Sequence, residues 1–262
     1  MDGKLKWVKE HWNQTADSDW YQSLRTEERL EALRADPAMA FHPAVFGLIR
    51  KYCPDLNGLE VLLPSSGDNH AAFALAMLGA KVTSADISER QLEVAGSNAE
   101  RLGLSIRFVC DDTMHLASLE ENAFDLVYTS NGTHSWIHDL DSMYAGIHRV
   151  LKPGGHSIMY DVHPFQRPFT GEAWKEPTIV KPYAATLPDC HWRVQDLVNA
   201  HTVAGLSLRE MAELPAVDAS FWFPYNELIR QNPEELKHLG DWQRNPLAAL
   251  PAWIAIAARK DS

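Results

Sequence analysis

Small and polar residues follow two apolar runs in the first third of the chain. After the run at 59–63 come five of them: Ser65, Ser66, Gly67, Asp68 and Asn69. Asp86, with Ile87 beside it, ends the second apolar run. Backbone N–H groups of such a turn can face the negative end of a ligand, and a carboxylate accepts hydrogen bonds from both hydroxyls of a ribose. The spacing predicts a site for a nucleoside-like cofactor.

An Ala-rich pattern at 70–78 lies between these two groups and predicts a helix, so the order is strand, turn, helix, strand. In an open parallel sheet, such a unit forms a crevice at the carboxyl ends of its strands. We therefore expect the turn and Asp86 to face one crevice.

The alternation of strand and helix continues along the chain. Further strands are predicted at 105–109, 124–129, 156–161, 206–214 and 251–259, with helices at 88–102, 139–150 and 194–204. This pitch predicts an α/β fold with a doubly wound, mostly parallel sheet covered on both faces. More polar residues follow the strands at 105–109 and 124–129: Asp111, Asp112, Thr113, Ser130, Asn131 and Gly132.

Composition limits the class of partner. The chain has 262 residues, 45% of them hydrophobic, which is enough to form the core of one elaborated domain. Its net charge of −11 repels a phosphate backbone, so a small molecule is a better substrate candidate than nucleic acid. Three cysteines far apart indicate neither a disulfide framework nor a zinc site.

The N-terminal residues are charged and contain no apolar run of the kind found in signal peptides, and no stretch is apolar enough to span a bilayer. The sequence therefore predicts a cytoplasmic protein without a membrane partner. It leaves the oligomeric state open.

Four parts of a single domain are expected. They are a helical leader at 1–40, a cofactor-binding core at 41–162, a Pro- and aromatic-rich insertion at 163–192 on the substrate side, and the rest of the sheet at 193–262. The leader is rich in aromatic residues, which either pack its helices onto the domain or form a flap over the crevice. The insertion suits an aromatic or partly apolar acceptor.

The segment FDLVYTSNGTHSWIHDLDSMYAGIHRVLKPGG, residues 124–155, resembles the fourth-strand motif, helix and "RVLKPGG" turn of the class I S-adenosylmethionine-dependent methyltransferases. The resemblance is close over 41–160 and looser over 193–259. It implies a seven-stranded sheet with a reversed terminal hairpin and S-adenosylmethionine as cofactor. It also implies that Asp86 holds the ribose, that Asp112 with Thr113 holds the adenine, and that 130–132 lie beside the methionine portion and sulfonium.

The first motif departs from the family pattern of a strand-end acid followed by G-x-G-x-G. Leu63 stands in place of the acid, and Ser65 and Asn69 replace two of the glycines. Ser adds little bulk, and Asn tolerates positive φ better than other non-glycine residues. Asp68 or backbone carbonyls are candidates to replace the acid, which in the family orients the aminoacyl end of the cofactor.

Methyl transfer from a sulfonium depends mainly on alignment, and a base is needed only when the acceptor arrives protonated. His134, expected at the mouth of the crevice, is the first candidate base, and His163 is the second. Trp136 suits either the core or an acceptor-facing position. His134 and His138 with Asp161 and His163 are a weaker candidate metal site, so no metal is predicted.

Three functions compete. A methyltransferase acting on oxygen or nitrogen of a small molecule is favoured. A nicotinamide-dependent oxidoreductase would share the sheet and the ribose acid but should carry G-x-G-x-x-G, which is missing here. A non-catalytic module that keeps the fold for binding or regulation is the third, because the first motif is divergent.

Overall fold

The structure is a computed structural model that describes residues 3–130, 132–170, 176–185, 190–223 and 231–261. The predicted insertion is therefore described only in part, and Asn131 lies outside the described residues. Seven strands are found: β1 (Glu60–Pro64), β2 (Lys81–Asp86), β3 (Ile106–Cys110), β4 (Phe124–Thr129), β5 (Leu151–Val162), β6 (Leu206–Leu214) and β7 (Trp253–Lys260).

The seven strands form one sheet in the order β3-β2-β1-β4-β5-β7-β6. Strands β1 to β5 are parallel, whereas β7 runs antiparallel to both β5 and β6. The predicted α/β sheet with a reversed terminal hairpin is confirmed. The strand order reverses between β1 and β4, which is where ligands bind in open α/β sheets.

Helices cover both faces of the sheet. They are α1 (Gly3–Thr15), α2 (Asp19–Leu24), α3 (Glu27–Ala35), α4 (Pro43–Tyr52), α5 (His70–Met77), α6 (Glu89–Leu102), α7 (Leu140–Val150), α8 (Val194–Val203) and α9 (Pro233–Leu236). Short 3₁₀ turns lie at Pro37–Ala40, His134–Trp136, Pro164–Gln166, Ala219–Phe221 and Pro246–Ala249. Each helix among the described residues is too short or too polar to cross a membrane.

Local signals define the ends of α6. The Ser88 hydroxyl accepts a hydrogen bond from the Gln91 N–H, and Gly103 ends the helix at φ 70°. Alternation along β1 then divides the core: Val61 and Leu63 pack on one face of the sheet, and Leu62 packs on the other. Both faces are thus buried, as a parallel sheet requires.

One expected boundary is wrong. The sequence predicts a tight turn at 152–155 before a strand that begins at His156, but β5 already begins at Leu151. Its pairing with β4 changes register between Phe124 and Leu126, next to the turn. The turn is therefore an irregularity inside the strand pair.

The leader packs on α6, next to the crevice. Asp17 pairs with Arg90 at 2.9 Å, and Lys9 pairs with Glu89. Ser18 and Thr26 cap α2 and α3 by accepting backbone hydrogen bonds. These contacts fix the leader helices above the carboxyl ends of the strands.

Candidate functional site

A cavity of about 320 Å³ lies at the carboxyl ends of β1 to β4. Most of the predicted cofactor residues line it: Ser65, Ser66, Gly67, Asp68, Asp86, Ile87, Asp112, Thr113, Ser130 and Gly132. Two of them do not appear there. Asn131 lies outside the described residues, and Asn69 is buried behind the bend.

The bend after β1, residues 65–69, keeps the backbone shape of a glycine-rich loop although it has one glycine. The φ angles of Ser65, Gly67 and Asn69 are 50°, 54° and 65°. Such angles strain residues other than glycine, and asparagine tolerates them best. The expectation that Ser and Asn can stand at these positions therefore agrees with the backbone.

Side-chain hydrogen bonds hold the bend. The hydroxyls of Ser65 and Thr113 are 2.7 Å apart, so the bend is tied to the segment after β3. Asn69 accepts a hydrogen bond from the Ser84 hydroxyl at 2.5 Å and donates one to the Gly67 carbonyl at 2.9 Å. Asn69 thus supports the bend from behind and, unlike the other described residues predicted to bind the cofactor, does not line the cavity.

Asp86 ends β2 with its side chain buried under the cavity. Its carboxylate accepts hydrogen bonds from the N–H of Ser88 at 2.9 Å and from the N–H of Gly67 at 3.4 Å. Burial raises the pKa of Asp86 to about 6, although these N–H donors and the nearby Arg25 act in the opposite direction. The carboxylate therefore links the bend to β2.

The two adjacent acids after β3 differ in position. Asp112 lines the cavity, and its carboxylate accepts hydrogen bonds from the Met114 N–H at 3.0 Å and His115 Nδ1 at 2.9 Å. Asp111 is not among the lining residues and instead accepts a hydrogen bond from the Ser118 N–H at 2.7 Å. Of the two acids, Asp112 therefore faces the cavity.

His134 does not lie at the mouth of the crevice, so that prediction is wrong. Its ring is buried, with Nδ1 2.9 Å from Asp161 Oδ2 and Nε2 2.8 Å from the Tyr144 hydroxyl. Asp161 also accepts hydrogen bonds from the N–H groups of Gly132 and His134. His134 and Asp161 together fix the loop after β4. Both ring nitrogens of His134 are engaged in hydrogen bonds, so neither is free for an acceptor.

His163 is likewise turned away from the cavity. Its Nε2 is 2.9 Å from Glu213 Oε1, and its Nδ1 accepts a hydrogen bond from the Phe165 N–H. Burial, the larger influence, lowers the pKa of His163, while Glu213 raises it. Its predicted role as the second candidate base has no geometric support.

The weaker metal alternative also lacks support. His134 and Asp161 do meet, but as a hydrogen-bonded pair. Within the described ranges, no group of three or more His, Cys, Asp or Glu side chains is arranged to hold a metal ion.

Five residues of the leader also line the cavity, and the sequence had not identified them as site residues: Leu5, Val8, Trp12, Trp20 and Tyr21. Trp136 lines it too, and its ring lies 4.9 Å from that of Trp12. In the sequence, only the number of aromatic residues in the leader indicated that it could lie over the crevice. The contacts fit both the packing and the flap interpretation, so a flap remains a prediction.

Nothing in the sequence predicted that Arg25 lies near the site. It is buried behind the bend, donates hydrogen bonds to the carbonyls of Ala16 and Gly67, and contacts Gln91. Its guanidinium lies 4.5 Å from the centre of the Tyr21 ring. Arg25 thus joins the leader, the bend and α6.

Residues 62–159 match the family described as "Methyltransferase domain", and these residues contain the bend, Asp86, Asp112 and the loop after β4. These residues form a class I S-adenosylmethionine-dependent methyltransferase domain. The similarity that the segment at 124–155 suggested is thereby confirmed.

Solved structures share the methyltransferase fold. An S-adenosylmethionine-dependent methyltransferase from Mesorhizobium loti superposes with a TM-score of 0.59 at 22% identity, covering 83% of this chain and 96% of that one. Geranyl diphosphate C-methyltransferase from Streptomyces coelicolor A3(2) gives 0.61 at 14% identity, covering 99% and 98%. At such identities the likeness extends to the fold alone.

Among curated relatives, sterol 24-C-methyltransferase ERG6B of Gibberella zeae is 41% identical over 87 residues, which are 32% of this chain and 22% of that protein. This chain spans from about a fifth to under three fifths of the length of the first curated relatives it matches. The structure also shows how the first motif departs from the family pattern. Leu63, which stands where the family has an acid, is 2% exposed and packs in the core.

Proposed function

We propose that the chain transfers a methyl group from S-adenosylmethionine to an oxygen or nitrogen atom of a small molecule. One observation carries the proposal: the bend after β1 and the Asp86 carboxylate, which the sequence predicts to face one crevice, border the same cavity. The net charge of −11 supports a small-molecule acceptor over a nucleic acid.

The cavity fits the cofactor of this family. Its volume of about 320 Å³ lies within the range of ligand pockets, and its walls combine apolar and aromatic side chains with a few polar groups. The Asp86 carboxylate offers further lone pairs, since it accepts few hydrogen bonds from the protein. These donors and acceptors suit a nucleoside that bears an amino acid.

We assign the residues as follows. Asp86 accepts hydrogen bonds from the ribose hydroxyls, with Ile87 beside the sugar and Asp112 with Thr113 at the adenine. The bend, with Ser65, Ser66, Gly67 and Asp68, faces the amino acid end, where the N-terminus of α5 favours a carboxylate. Ser130 and Gly132 lie beside the sulfonium. The bound cofactor supplies an electrophilic methyl group, and the protein supplies alignment and exclusion of water.

Calorimetric titration with S-adenosylmethionine, S-adenosylhomocysteine and NAD tests the proposal. We expect binding of the first two and none of NAD. Asp86→Asn should weaken the binding of both by on the order of 1.5–3 kcal/mol, because charge-assisted hydrogen bonds to the ribose are lost. Asp111→Asn is the matched control, since Asp111 does not line the cavity.

The alternatives give different results. Binding of NAD alone would favour the oxidoreductase. Binding of S-adenosylmethionine without release of S-adenosylhomocysteine across a panel of phenols, amines and carboxylic acids would favour the non-catalytic module. Unchanged affinity in Asp86→Asn would refute the ribose role.

A further inference from the structure

Two more chambers adjoin the cofactor cavity, and each shares lining residues with it. The tyrosine chamber, about 360 Å³, lies between the leader and the ends of β4 and β5, and its walls include Tyr128, Tyr160 and Trp253. The arginine chamber, about 440 Å³, includes Arg167 and Trp222. With the cavity filled by the cofactor, these two spaces are candidate sites for the acceptor.

The tyrosine chamber opens to the cavity between the bend and the end of β4, next to Ser130, which we assigned to the sulfonium. The residues shared there are Ser66, Asp68 and Ser130, which border the bend and the end of β4. The arginine chamber shares only Val162 and Arg167, which follow β5. Because methyl transfer requires the nucleophile in line with the methyl carbon and sulfur, the tyrosine chamber has the more suitable junction.

Aromatic rings form much of the wall of the tyrosine chamber and are fixed by packing. Ring centres are 5.6 Å apart for Phe41 and Tyr128, 4.9 Å for Tyr160 and Trp253, and 4.7 Å for Phe221 and Trp253. Such rings accommodate a flat apolar group and attract a cation to their faces.

The hydroxyl of Tyr128 is a candidate hydrogen-bonding group for a ligand. Tyr128 is 2% exposed and lines the chamber, and its hydroxyl makes no hydrogen bond to any described residue. Burial raises the pKa of Tyr128 and of Tyr160, so both stay protonated at neutral pH. The Tyr128 hydroxyl is therefore free to form a hydrogen bond with a ligand in the chamber.

The charged groups favour a cation. Two carboxylates, Asp68 and Asp218, line the chamber together with one guanidinium, Arg29. One oxygen of each carboxylate accepts a backbone hydrogen bond, from His70 at 3.0 Å and Ser220 at 2.7 Å. The other oxygen of each accepts no hydrogen bond from the described residues, and Asp68 Oδ2 lies 3.8 Å from His70 Nδ1.

We propose that the tyrosine chamber binds the methyl acceptor and that this acceptor is an amine carrying an aromatic ring. The inference rests on the proposed function and narrows it to nitrogen. The ring lies among the aromatic side chains, and the amine lies near Asp68 and the Tyr128 hydroxyl. In the overall transfer the ammonium loses one proton to solvent and gains the methyl group, and the donor sulfonium becomes a neutral thioether.

Two probes with the same ring and opposite charges test the proposal on the protein loaded with S-adenosylhomocysteine. Calorimetry should show tyramine binding at least about tenfold more tightly than 4-hydroxyphenylacetate, because the carboxylates attract the former and repel the latter. Tyr128→Phe should weaken tyramine binding by about threefold to tenfold. Asp218→Asn, at an exposed position, should weaken it by about threefold.

Thr170→Val is the matched control, since Thr170 lines only the arginine chamber and its change should leave tyramine affinity unaltered. The affinity for S-adenosylhomocysteine is measured first in each variant and reports both folding and the proposed function. Failure of that binding in the unmodified chain would contradict the proposed function. Three results would overturn this inference alone, provided that the cofactor still binds. They are that 4-hydroxyphenylacetate binds as tightly as tyramine or more tightly, that tyramine does not bind, or that Thr170→Val weakens tyramine binding as much as Tyr128→Phe does.

Discussion

The bend at 65–69 and the turn at 152–155 are both glycine loops in the family, yet only the turn keeps its glycines. In the bend, Ser65 and Asn69 adopt positive φ in place of glycine. In the turn, Gly154 has a φ of 84°, and Gly155 is enclosed by backbone. The difference distinguishes two reasons why a position in a loop can require glycine.

One reason is torsional, and the other is lack of space. A Cβ atom on Gly155 would lie 2.9 Å from the Lys152 carbonyl oxygen and 3.0 Å from that of Phe124, and neither backbone atom can move aside easily. In the bend, the side chain of Asn69 has room and forms hydrogen bonds with Ser84 and Gly67. A strained φ costs roughly 1–2 kcal/mol, which such bonds can offset, whereas a steric clash with backbone has no such compensation.

Gly155→Ala should have the largest effect. The added methyl group must displace the β4–β5 pair, so we expect a loss of about 3 kcal/mol in the free energy of unfolding, measured by urea denaturation. Gly47→Ala in α4 is the control, because nothing lies within 4 Å of its Cβ position. It should be neutral or stabilise by about 0.5–1 kcal/mol. Equal effects of the two changes would break the distinction.

Asn69 tests the torsional side. Asn69→Ala keeps the strained φ and removes both hydrogen bonds, so we expect a loss of about 2–3 kcal/mol. Asn69→Gly removes the same bonds but relieves the strain, and should lose about 1 kcal/mol less. Urea denaturation of both variants, alone and combined with Ser84→Ala, measures the coupling. If Asn69→Gly were the less stable variant, the strain argument would be wrong.

The same contrast explains what the sequence could predict. The alternation of strands and helices, the Ser88 cap and the placement of Asp86 follow from local patterns and chain order, whereas the reversed terminal hairpin was implied only by the resemblance. The His134 ring was misplaced because its partners, Tyr144 and Asp161, lie 10 and 27 residues away and come close only through packing. Arg25 and the leader aromatics were missed as site residues for the same reason, since their position depends on how α1 to α3 pack above the sheet.

A pH titration sharpens the comparison, because the bend is tied to an ionisable group. Folding raises the pKa of Asp86 from 3.8 to about 6, so its contribution to stability decreases as pH rises between these values. Ribose recognition requires the carboxylate, so cofactor affinity should instead increase over this range and decrease about tenfold per pH unit below 6. Calorimetry at pH 5, 6 and 7 measures the change in cofactor affinity. Asp86→Asn lacks the carboxylate, so it should remove the contribution of Asp86 to the pH dependence of both the affinity and the stability.

Ser65→Gly should have the smallest effect. Glycine relieves the strain at φ 50°, about 1–2 kcal/mol, but loses the hydrogen bond to Thr113 and adds freedom to the unfolded chain. These terms offset one another, so we expect the free energy of unfolding to change by less than about 0.5 kcal/mol. Ser65→Ala is the control, because it loses the bond and keeps the strain, and should cost about 1 kcal/mol. A loss above about 2 kcal/mol in Ser65→Gly would mean that the tie to Thr113, and not the backbone torsion, determines the shape of the bend.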